Sequence, residues 1–416
     1  ADSDDVYHPI RVETNGIKAA IDSTLKEIGG SSIDAQNWSK SSYRPTPTII
    51  EAARSLYAQH SVDAIARYDA GAKNLNVTTN KIDDIIDQAM TNNYKVICFV
   101  TGVPGAGKTL VGLNVATRHQ RDEGQPTHAT FLSGNGPLVE VLSEALARDD
   151  FDRRKEKGEQ VRKGKIRAKV KTFIQIVHHF RDEALKDPEP PDDRVVIFDE
   201  AQRAWDLHKT ADFMKRKKKQ AGFNQSEPEF LISYMDRHKD WAVIVCLVGG
   251  GQEIHTGEAG IDTWLDAIQS KFPNWKMYIS PRLEDSEYAA GKAVDRAKSH
   301  PQSKFDESLH LSVSMRSFRA ENVSAFVKAL LDCEKKKARD SFQEITAKYP
   351  IVLTRDINRA KKWIRTNARG SERYGLIASS RAQRLKPHAI DVRVKSNPVH
   401  WFLNDRDDTR SSYYLE

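Results

Sequence analysis

Four short apolar runs, separated by stretches with a helical pattern, constrain the fold of this 416-residue chain more than any other feature. They occupy residues 95–100, 129–132, 194–198 and 242–248. Nearly continuous hydrophobic strands that alternate with helices are typical of a parallel sheet covered by helices on both faces. Three more strands are predicted at residues 308–313, 351–353 and 374–378. The pattern therefore predicts an α/β fold.

The first 90 residues lack such runs and have a mostly helical pattern. Thr48 and Glu51 have the spacing of a capping box, with Pro47 in the first turn, so a helix is predicted to begin there. A second predicted helix has an apolar stripe, and Asn80 is placed to cap it. The stripe consists of Ile82, Ile85, Ile86 and Ala89.

The composition indicates a soluble globular protein. Hydrophobic residues make up 39% of the chain and charged residues 30%, and no run approaches the roughly 20 apolar residues of a membrane helix. The acidic amino terminus lacks the pattern of a signal peptide, and three scattered cysteines are too few for a disulfide framework or a zinc site. We therefore expect a reduced, cytoplasmic protein of two or three domains. Because Ala1 is not a start methionine, a fragment or a processed product is expected.

Positive charge is concentrated in two clusters. Residues 153–171 contain ten basic side chains and only two acidic ones, and residues 215–219 form an unbroken basic run. The formal net charge is +7, from 65 Lys and Arg against 58 Asp and Glu. Basic patches attract polyanions, although a single charge run is more often a solvated face. We interpret residues 215–219 as a solvated loop.

Residues 102–109 match the G-x-x-x-x-G-K-[ST] pattern of a phosphate-binding P-loop. A buried strand precedes the loop and an amphipathic helix follows it, so backbone N–H groups at the helix start are expected to surround phosphate oxygens. We expect Lys108 to contact the β- and γ-phosphates of ATP and the Thr109 hydroxyl to bind Mg²⁺. The residues predicted to bind the nucleotide here are Gly102, Val103, Pro104, Gly105, Ala106, Gly107, Lys108, Thr109 and Leu110.

Two carboxylates, Asp199 and Glu200, close the third apolar run. An apolar strand that ends in paired acids is what a Walker B element requires. Asp199 is predicted to hold Mg²⁺, and Glu200 to orient and deprotonate the attacking water. Two adjacent carboxylates favour hydrolysis of the nucleotide over its use as a structural ligand.

The fourth apolar run ends in three glycines followed by Gln252. Three glycines bring the backbone close to another group, and the Gln252 amide is placed to contact the γ-phosphate or the hydrolytic water. The alternative is a flexible turn with a solvated glutamine. We count Gln252 among the predicted catalytic and nucleotide-binding residues.

In this order the three motifs resemble motifs I, II and III of superfamily 1 helicases. Residues 131–138 resemble motif Ia, residues 311–317 resemble the Leu-x-x-Asn-Tyr-Arg-Ser form of motif IV, and residues 375–384 resemble the next strand of a second RecA-like domain. The amino-acid sequence of residues 40–416 as a whole resembles that of bacterial proteins with a Schlafen-like DNA/RNA helicase domain.

The resemblance implies tandem RecA-like domains with ATP and Mg²⁺ between them. Residues 1–90 are then a helical amino-terminal segment, residues 91–282 the first RecA-like domain, and residues 283–416 the second. Arg316 corresponds to the arginine finger of motif IV, which reaches the γ-phosphate. Motifs V and VI have no counterpart before Glu416, so either the second domain is incomplete and turnover weak, or the chain is a fragment of a competent protein.

The same resemblance places nucleic-acid contacts in motif Ia and in a basic insertion at about residues 138–172. Such contacts would follow phosphates without reading bases. The predicted residues are Ser133, Asn135, Arg162, Lys163, Lys165, Arg167, Lys169, Lys171 and Thr172. For His179, Trp205 and Trp264 we prefer a structural role, and for Gln88, a candidate adenine contact, a solvated helix position.

Two function classes remain open. The first is an ATP-dependent helicase or translocase acting on single-stranded DNA or RNA. The second is a nucleotide-dependent switch or effector ATPase in a multi-protein complex, for example in anti-phage defence, that binds ATP without translocating. A small-molecule kinase is disfavoured, because the residues after 203 lead to another strand of the sheet and not to a lid.

Overall fold

The computed structural model divides the chain into two compact units, Ala1–Pro45 and Thr46–Glu416. Of the first unit it describes residues 16–19 and 22, which are helical. Of the second it describes residues 48–58, 69–102, 105–119, 129–249, 257–284, 291–298, 300–312, 323, 326–327, 329–346, 350–368 and 375–412.

Eight parallel strands form one sheet in the second unit, in the order β3-β2-β4-β5-β1-β6-β7, with β8 also paired to β1. They are β1 (Lys95–Gly102), β2 (Ala129–Ser133), β3 (Ile174–Ile176), β4 (Val195–Asp199), β5 (Ala242–Leu247), β6 (Lys276–Ile279), β7 (Ser303–Phe305) and β8 (His310–Leu311). The four apolar runs are therefore strands, as predicted. The short strands β3, β6 and β7 were not predicted.

Strand β1 is the centre of the sheet. It pairs with β5 along one edge and with β6 along the other, and its last two residues pair with β8. Strands β2 to β5 lie on one side of β1, and strands β6 and β7 lie on the other, so the strand order reverses at β1. In parallel α/β sheets, ligands bind at the carboxyl ends of the strands at such a reversal.

Helices cover both faces of the sheet. The helices in the described part of the second unit are α1 (Ile49–Tyr57), α2 (Asp69–Thr91), α3 (Lys108–Arg118), α4 (Gly136–Glu156), α5 (Lys163–Phe173), α6 (Val177–Lys186), α7 (Leu207–Phe213), α8 (Glu227–Met235), α9 (Gly260–Lys271), α10 (Gly291–Lys298), α11 (Lys335–Ile345), α12 (Ile357–Asn367) and α13 (Pro398–Leu403). Side chains alternate along β1, so Val96, Cys98 and Val100 join the apolar core on one face while Ile97 and Phe99 join the core on the other. This two-faced burial is why the strands read as continuous apolar runs.

The amino-terminal helices confirm one capping prediction and correct another. Thr48 and Glu51 form the predicted capping box at the start of α1. The apolar stripe of α2 is fully buried, but α2 begins at Asp69, eleven residues before Asn80. The prediction that Asn80 caps this helix is therefore wrong, because residues 70–80 are already part of the helix.

The carboxyl-terminal part differs from the sequence prediction. Residues 310–311 form β8 and pair with β1, so this strand belongs to the first sheet. Residues 351–353 and 375–378 form no strand, and Leu353 and Ile377 are almost fully exposed, at 100% and 98%. Apolar β-branched runs indicate strand propensity only, and a strand also needs a partner edge. A second RecA-like sheet is not seen in the described residues, while α13 packs on α4 through Arg148, which donates to the Leu403 carbonyl.

Within the described residues, no helix combines the length and the apolar character that crossing a membrane requires.

Helix α3 packs so closely on the sheet that Gly112 leaves no room for a side chain. A Cβ there would lie 2.7 Å from Leu247 Cδ1 and 2.9 Å from Phe131 Cε2. We expect Gly112→Ala to destabilise the fold by about 1–3 kcal/mol, because overpacking outweighs the better helix propensity of alanine. Chemical denaturation measures this.

The matched control is Gly164→Ala in α5, where a Cβ would meet nothing within 4 Å. That variant should be as stable as the wild type or more stable, by about 0.5–1 kcal/mol. A Gly112→Ala protein as stable as this control would refute the tight α3 packing.

Candidate functional site

The described residues 105–107, which come directly before α3, have backbone angles typical of a phosphate-binding turn. Gly105 and Gly107 have positive φ angles of 76° and 89°, which side chains rarely adopt. Gly107 caps α3 without a side-chain hydrogen bond, so the first N–H groups of the helix have no cap and suit an anion. Lys108 Nζ donates to the Gly102 carbonyl oxygen at 2.7 Å, which holds the ammonium group at the start of the loop.

Thr109 and Asp199 face each other across the sheet edge. The Thr109 hydroxyl lies 3.3 Å from both carboxylate oxygens of Asp199. Burial and then the neighbouring Glu200 raise the pKa of Asp199 to about 7, although Thr109 and Lys108 oppose this change. A hydroxyl beside a buried carboxylate is a hard oxygen donor set, which fits Mg²⁺ with water as the remaining ligands.

Glu200 is held by a side chain that sequence reasoning did not single out. Gln202 Nε2 donates to Glu200 Oε2 at 2.5 Å, and Gln202 Oε1 accepts from the Gly249 N–H at 3.0 Å. A Cβ on Gly249 would lie 2.9 Å from both Gln202 Nε2 and Glu200 Oε2. The glycine is therefore needed for this close approach, and the run of three glycines was the sequence signal for it.

The backbone of Glu200 is also unusual, with φ 55° and ψ 46° in the left-handed region. This conformation costs roughly 1 kcal/mol or more for a residue with a side chain. It makes a sharp turn from the end of β4 into the 3-10 helix Ala201–Arg203. The turn brings Gln202 back toward Glu200 and the end of β5.

The segment after this turn is tied to the residues that follow Gln252 in the chain. Trp205 forms an antiparallel bridge with Glu258, the Ala259 N–H donates to the Ala204 carbonyl at 2.6 Å, and the Asp206 N–H donates to the Gly257 carbonyl at 3.0 Å. The segment 204–206, which follows β4, is therefore joined to residues 257–259.

Strand β8 lies against the start of the P-loop. A Cβ on Gly102 would come within 2.8 Å of Leu311 Cβ, so this glycine allows β8 to approach. Beside it, Thr101 Oγ1 lies 2.5 Å from Ser280 Oγ and 2.9 Å from His310 Nδ1. This buried hydrogen-bond cluster fixes β8 to the end of β1, and no sequence motif pointed to it.

The motif Ia candidates lie at the same sheet edge. Ser133 pairs in register with Asp199 and is buried, and its Oγ accepts from the Asn135 N–H at 3.2 Å. Asn135 is exposed and caps α4 by accepting from the Leu138 N–H at 3.3 Å. The structure thus brings both residues close to β4, with local capping roles.

Among the candidates at α5, the structure places Thr172 away from this edge. The Thr172 carbonyl accepts from Thr130 Oγ1 near the amino end of β2, so the carboxyl end of α5 lies away from the strand ends that carry Asp199. The exposed candidates are Arg162, Lys165, Arg167, Lys169, Lys171 and Thr172, while Lys163 is half-buried.

Two of these cations are already paired inside the protein. Glu144 binds Lys163 Nζ at 3.2 Å and Arg167 Nη2 at 2.6 Å, as well as Arg148. Burial would raise the pKa of Glu144, but these hydrogen bonds outweigh it and lower the pKa. Part of the basic charge of residues 153–171 is therefore neutralised internally.

Among the other candidates, the two tryptophans have the structural role that we preferred. Trp264 is fully buried and donates from its indole N–H to the Ala201 carbonyl at 2.9 Å. Trp205 packs among His178 and Phe213, Gln88 is exposed, and His179 is an exposed residue of α6. The predicted residues Val103, Pro104, Gln252 and Arg316 lie outside the described residues.

The site combines a β-strand, a glycine turn and a helix with a hydroxyl that faces a carboxylate at the end of β4. This combination is typical of P-loop nucleotide-binding proteins. Comparison with known families matches residues 95–416 to the family described as Schlafen group 3, DNA/RNA helicase domain. The chain belongs to this family, which implies a helicase-like activity on nucleic acid and hydrolysis of a nucleoside triphosphate. A comparison with curated proteins gives no match.

The raised pKa of Asp199 predicts a pH-dependent effect on stability. The folded pKa of about 7 exceeds the ordinary 3.8, so the folded state binds this proton more tightly than the unfolded state. The stabilisation that results is complete below about pH 4 and is lost as the pH rises through 7. We expect Asp199→Asn to be more stable than the wild type at pH 8 without divalent cations, by roughly 1–4 kcal/mol, because each tenfold difference in proton affinity corresponds to about 1.4 kcal/mol. The difference should vanish near pH 4.

Denaturation at several pH values in a chelating buffer measures this effect, with the exposed Asp212→Asn as control. Adding Mg²⁺ at pH 8 should stabilise the wild type and not Asp199→Asn. Equal stability of both proteins at pH 8 would contradict the burial of a destabilising carboxylate at this site.

Proposed function

We propose that this protein is an ATP-dependent helicase or translocase that acts on single-stranded DNA or RNA. The observation that carries the proposal is the group of side chains at the carboxyl edge of the sheet. Thr109 faces Asp199 there, and Gln202 joins Glu200 to the Gly249 backbone. Family membership over residues 95–416 supports the nucleic-acid part of the proposal.

In the proposed reaction the P-loop holds the phosphates of ATP. The uncapped N–H groups of α3 and the Lys108 ammonium stabilise negative charge that develops on the γ-phosphoryl group. Mg²⁺, when bound at Thr109 and Asp199, neutralises charge on the phosphate oxygens. Glu200 accepts the proton of the attacking water, and Gln202 keeps the Glu200 carboxylate in position.

The order of residues along the chain supports roles for two of the predicted residues outside the described ones, Gln252 and Arg316. Gln252 follows Gly249 by three residues in the sequence. Arg316 follows Ser312 by four residues in the sequence, and Ser312 comes directly after β8, which touches Gly102. We propose Gln252 as a contact to the γ-phosphate or water, and Arg316 as an arginine finger.

For nucleic acid, we propose that Ser133 and Asn135 lie along the path of the strand, since they share the sheet edge with Asp199. Among the α5 candidates, Arg162, Lys165, Lys169 and Lys171 remain proposed phosphate contacts. Lys163 and Arg167 contribute less, because Glu144 already pairs with both.

The second candidate is a nucleotide-dependent switch that binds ATP without translocating. The observation that favours it is that the eight strands in the described residues form a single sheet, with residues 350–368 and 375–412 adding no strand. Translocation by alternating closure requires a second lobe. A response of ATP turnover to a protein partner, and not to a strand, would support this candidate.

The test of the proposed function is the ATPase rate with and without single-stranded DNA and RNA, for the wild type and for Glu200→Gln. We expect a strand to stimulate the wild type, and Glu200→Gln to lose about 10²–10⁴-fold in rate while still binding ATP, because it lacks the general base. Glu140→Gln, an exposed residue of α4, is the control and should retain full activity. ATP turnover by Glu200→Gln at the wild-type rate would show that Glu200 is not the general base.

The Gln202 bridge has its own prediction. Gly249→Ala places a methyl group 2.9 Å from Glu200 Oε2, which displaces the carboxylate from Gln202. Because a displacement of about 1 Å can cost about 10²-fold in rate, we expect kcat to fall by roughly that factor while the affinity for ATP is retained. Steady-state kinetics and nucleotide binding separate the two quantities.

Gly134→Ala is the matched control, because Gly134 also follows a strand at this edge and a Cβ there would meet nothing within 4 Å. It should leave kcat within about twofold. Equal kcat values for Gly249→Ala and Gly134→Ala would show that the bridge does not position the base.

A further inference from the structure

The basic run at residues 215–219 continues the helix that leaves the candidate catalytic edge. Helix α7 passes directly into a π-helical turn, Met214–Lys218. Four of the five cations in the basic run are exposed, namely Lys215, Arg216, Lys217 and Lys219. The fifth, Lys218, is half-buried and pairs with Asp182 of α6 at 2.6 Å. Here these four exposed residues are named the basic turn.

The support of the basic turn is fully packed. Met214 is buried, and the Phe213 ring lies 5.3 Å from that of Trp205. The Arg181 guanidinium group lies 4.4 Å from the Phe213 ring and forms a buried ion pair with Glu227 at 2.9 Å. These contacts form a packed platform next to the basic turn. The helical backbone of Met214–Lys218 corrects the interpretation of residues 215–219 as a loop, while the exposure of four of these five side chains agrees with a solvated position.

The same platform is connected to the turn after Glu200. Glu227 Oε2 accepts from the Trp205 N–H at 2.9 Å, and Asp206 caps α7 by accepting from the Lys209 N–H at 2.8 Å. Trp205 also bridges to Glu258. The basic turn is therefore held in a defined position relative to Asp199 and Glu200.

Fold stability does not account for so much charge. Cations at a helix carboxyl terminus are favourable by about 0.3–1 kcal/mol each, but like charges four residues apart repel. Within the described residues, Arg216 has one acidic partner, Asp212 at 3.5 Å, and both side chains are largely exposed. Lys215, Lys217 and Lys219 have no ion pair there, in contrast to Lys163 and Arg167 of α5.

We propose that the basic turn is a phosphate contact of the protein, which binds the backbone of a nucleic acid. The proposal rests on the proposed function in taking the chain to bind nucleic acid. The nearest aromatic side chains in sequence, Phe213 and Phe223, are half-buried, so the contact is electrostatic and independent of base sequence.

The test replaces the four residues of the basic turn by glutamine and leaves Lys218 unchanged. The control removes the same charge from helices α11 and α12, at the exposed residues Lys335, Lys336, Lys361 and Lys362. Fluorescence anisotropy measures the affinity of each protein for a labelled single strand of about 20 nucleotides and for a duplex of the same sequence, at several salt concentrations. Melting temperatures verify that each variant is folded.

For the basic-turn variant we expect roughly 10- to 100-fold weaker binding at about 0.1 M salt, with the salt slope reduced by about 2–3 for a single strand. The control should change both quantities much less, and ATPase activity without nucleic acid should stay unchanged in both. A loss confined to the duplex, or to the single strand, supports the contact and identifies which form occupies it.

Three results would overturn the proposal. Unchanged affinity and salt slope in the basic-turn variant would contradict the proposed phosphate contact and would leave the proposed function unaffected. An equal loss in the control would assign the effect to net charge. A wild-type protein that binds neither form of nucleic acid would overturn the contact and the proposed function together.

Discussion

The central position of β1, which pairs with β5, β6 and β8, is the constraint on which the rest of the structure depends. Because these strands are parallel, their carboxyl ends share one side of the sheet. The carboxyl ends of β1, β4 and β5 therefore bring together three residues that are distant in the chain, Gly102, Asp199 and Gly249. The two missing side chains at Gly102 and Gly249 then allow β8 and Gln202 to approach.

The electrostatics of this edge follow from the burial of an acid beside a second acid. Desolvation and Glu200 together raise the pKa of Asp199, so the fold carries a carboxyl that is stabilised by a cation. Lys108 and Thr109 oppose this rise only in part. The site is therefore arranged for a positively charged ligand next to a phosphate-binding helix start, which is the combination that a nucleotide with its magnesium ion supplies.

The sequence predicted the strands whose apolar character comes from burial on both faces, and the motifs at their ends. It did not predict β3, β6 and β7, which are only three or four residues long, because so short a run has little periodicity. Residues 351–353 have the composition of a strand but lack a partner edge, which composition cannot reveal. The roles of Gln202 and of the cluster around Thr101 depend on contacts between distant segments, and the state of residues 215–219 depends on the packing of Phe213 and Met214.

The left-handed backbone of Glu200 restricts which amino acids can replace it, independently of the chemistry of its carboxylate. Asparagine, aspartate and glycine adopt this conformation most readily, while β-branched residues are strongly disfavoured. A valine or threonine at this position would unfold the turn that carries Gln202 as well as remove the acid. Substitution of Glu200 is thus restricted by two separate requirements, the backbone geometry of the turn and the reactivity of the carboxylate.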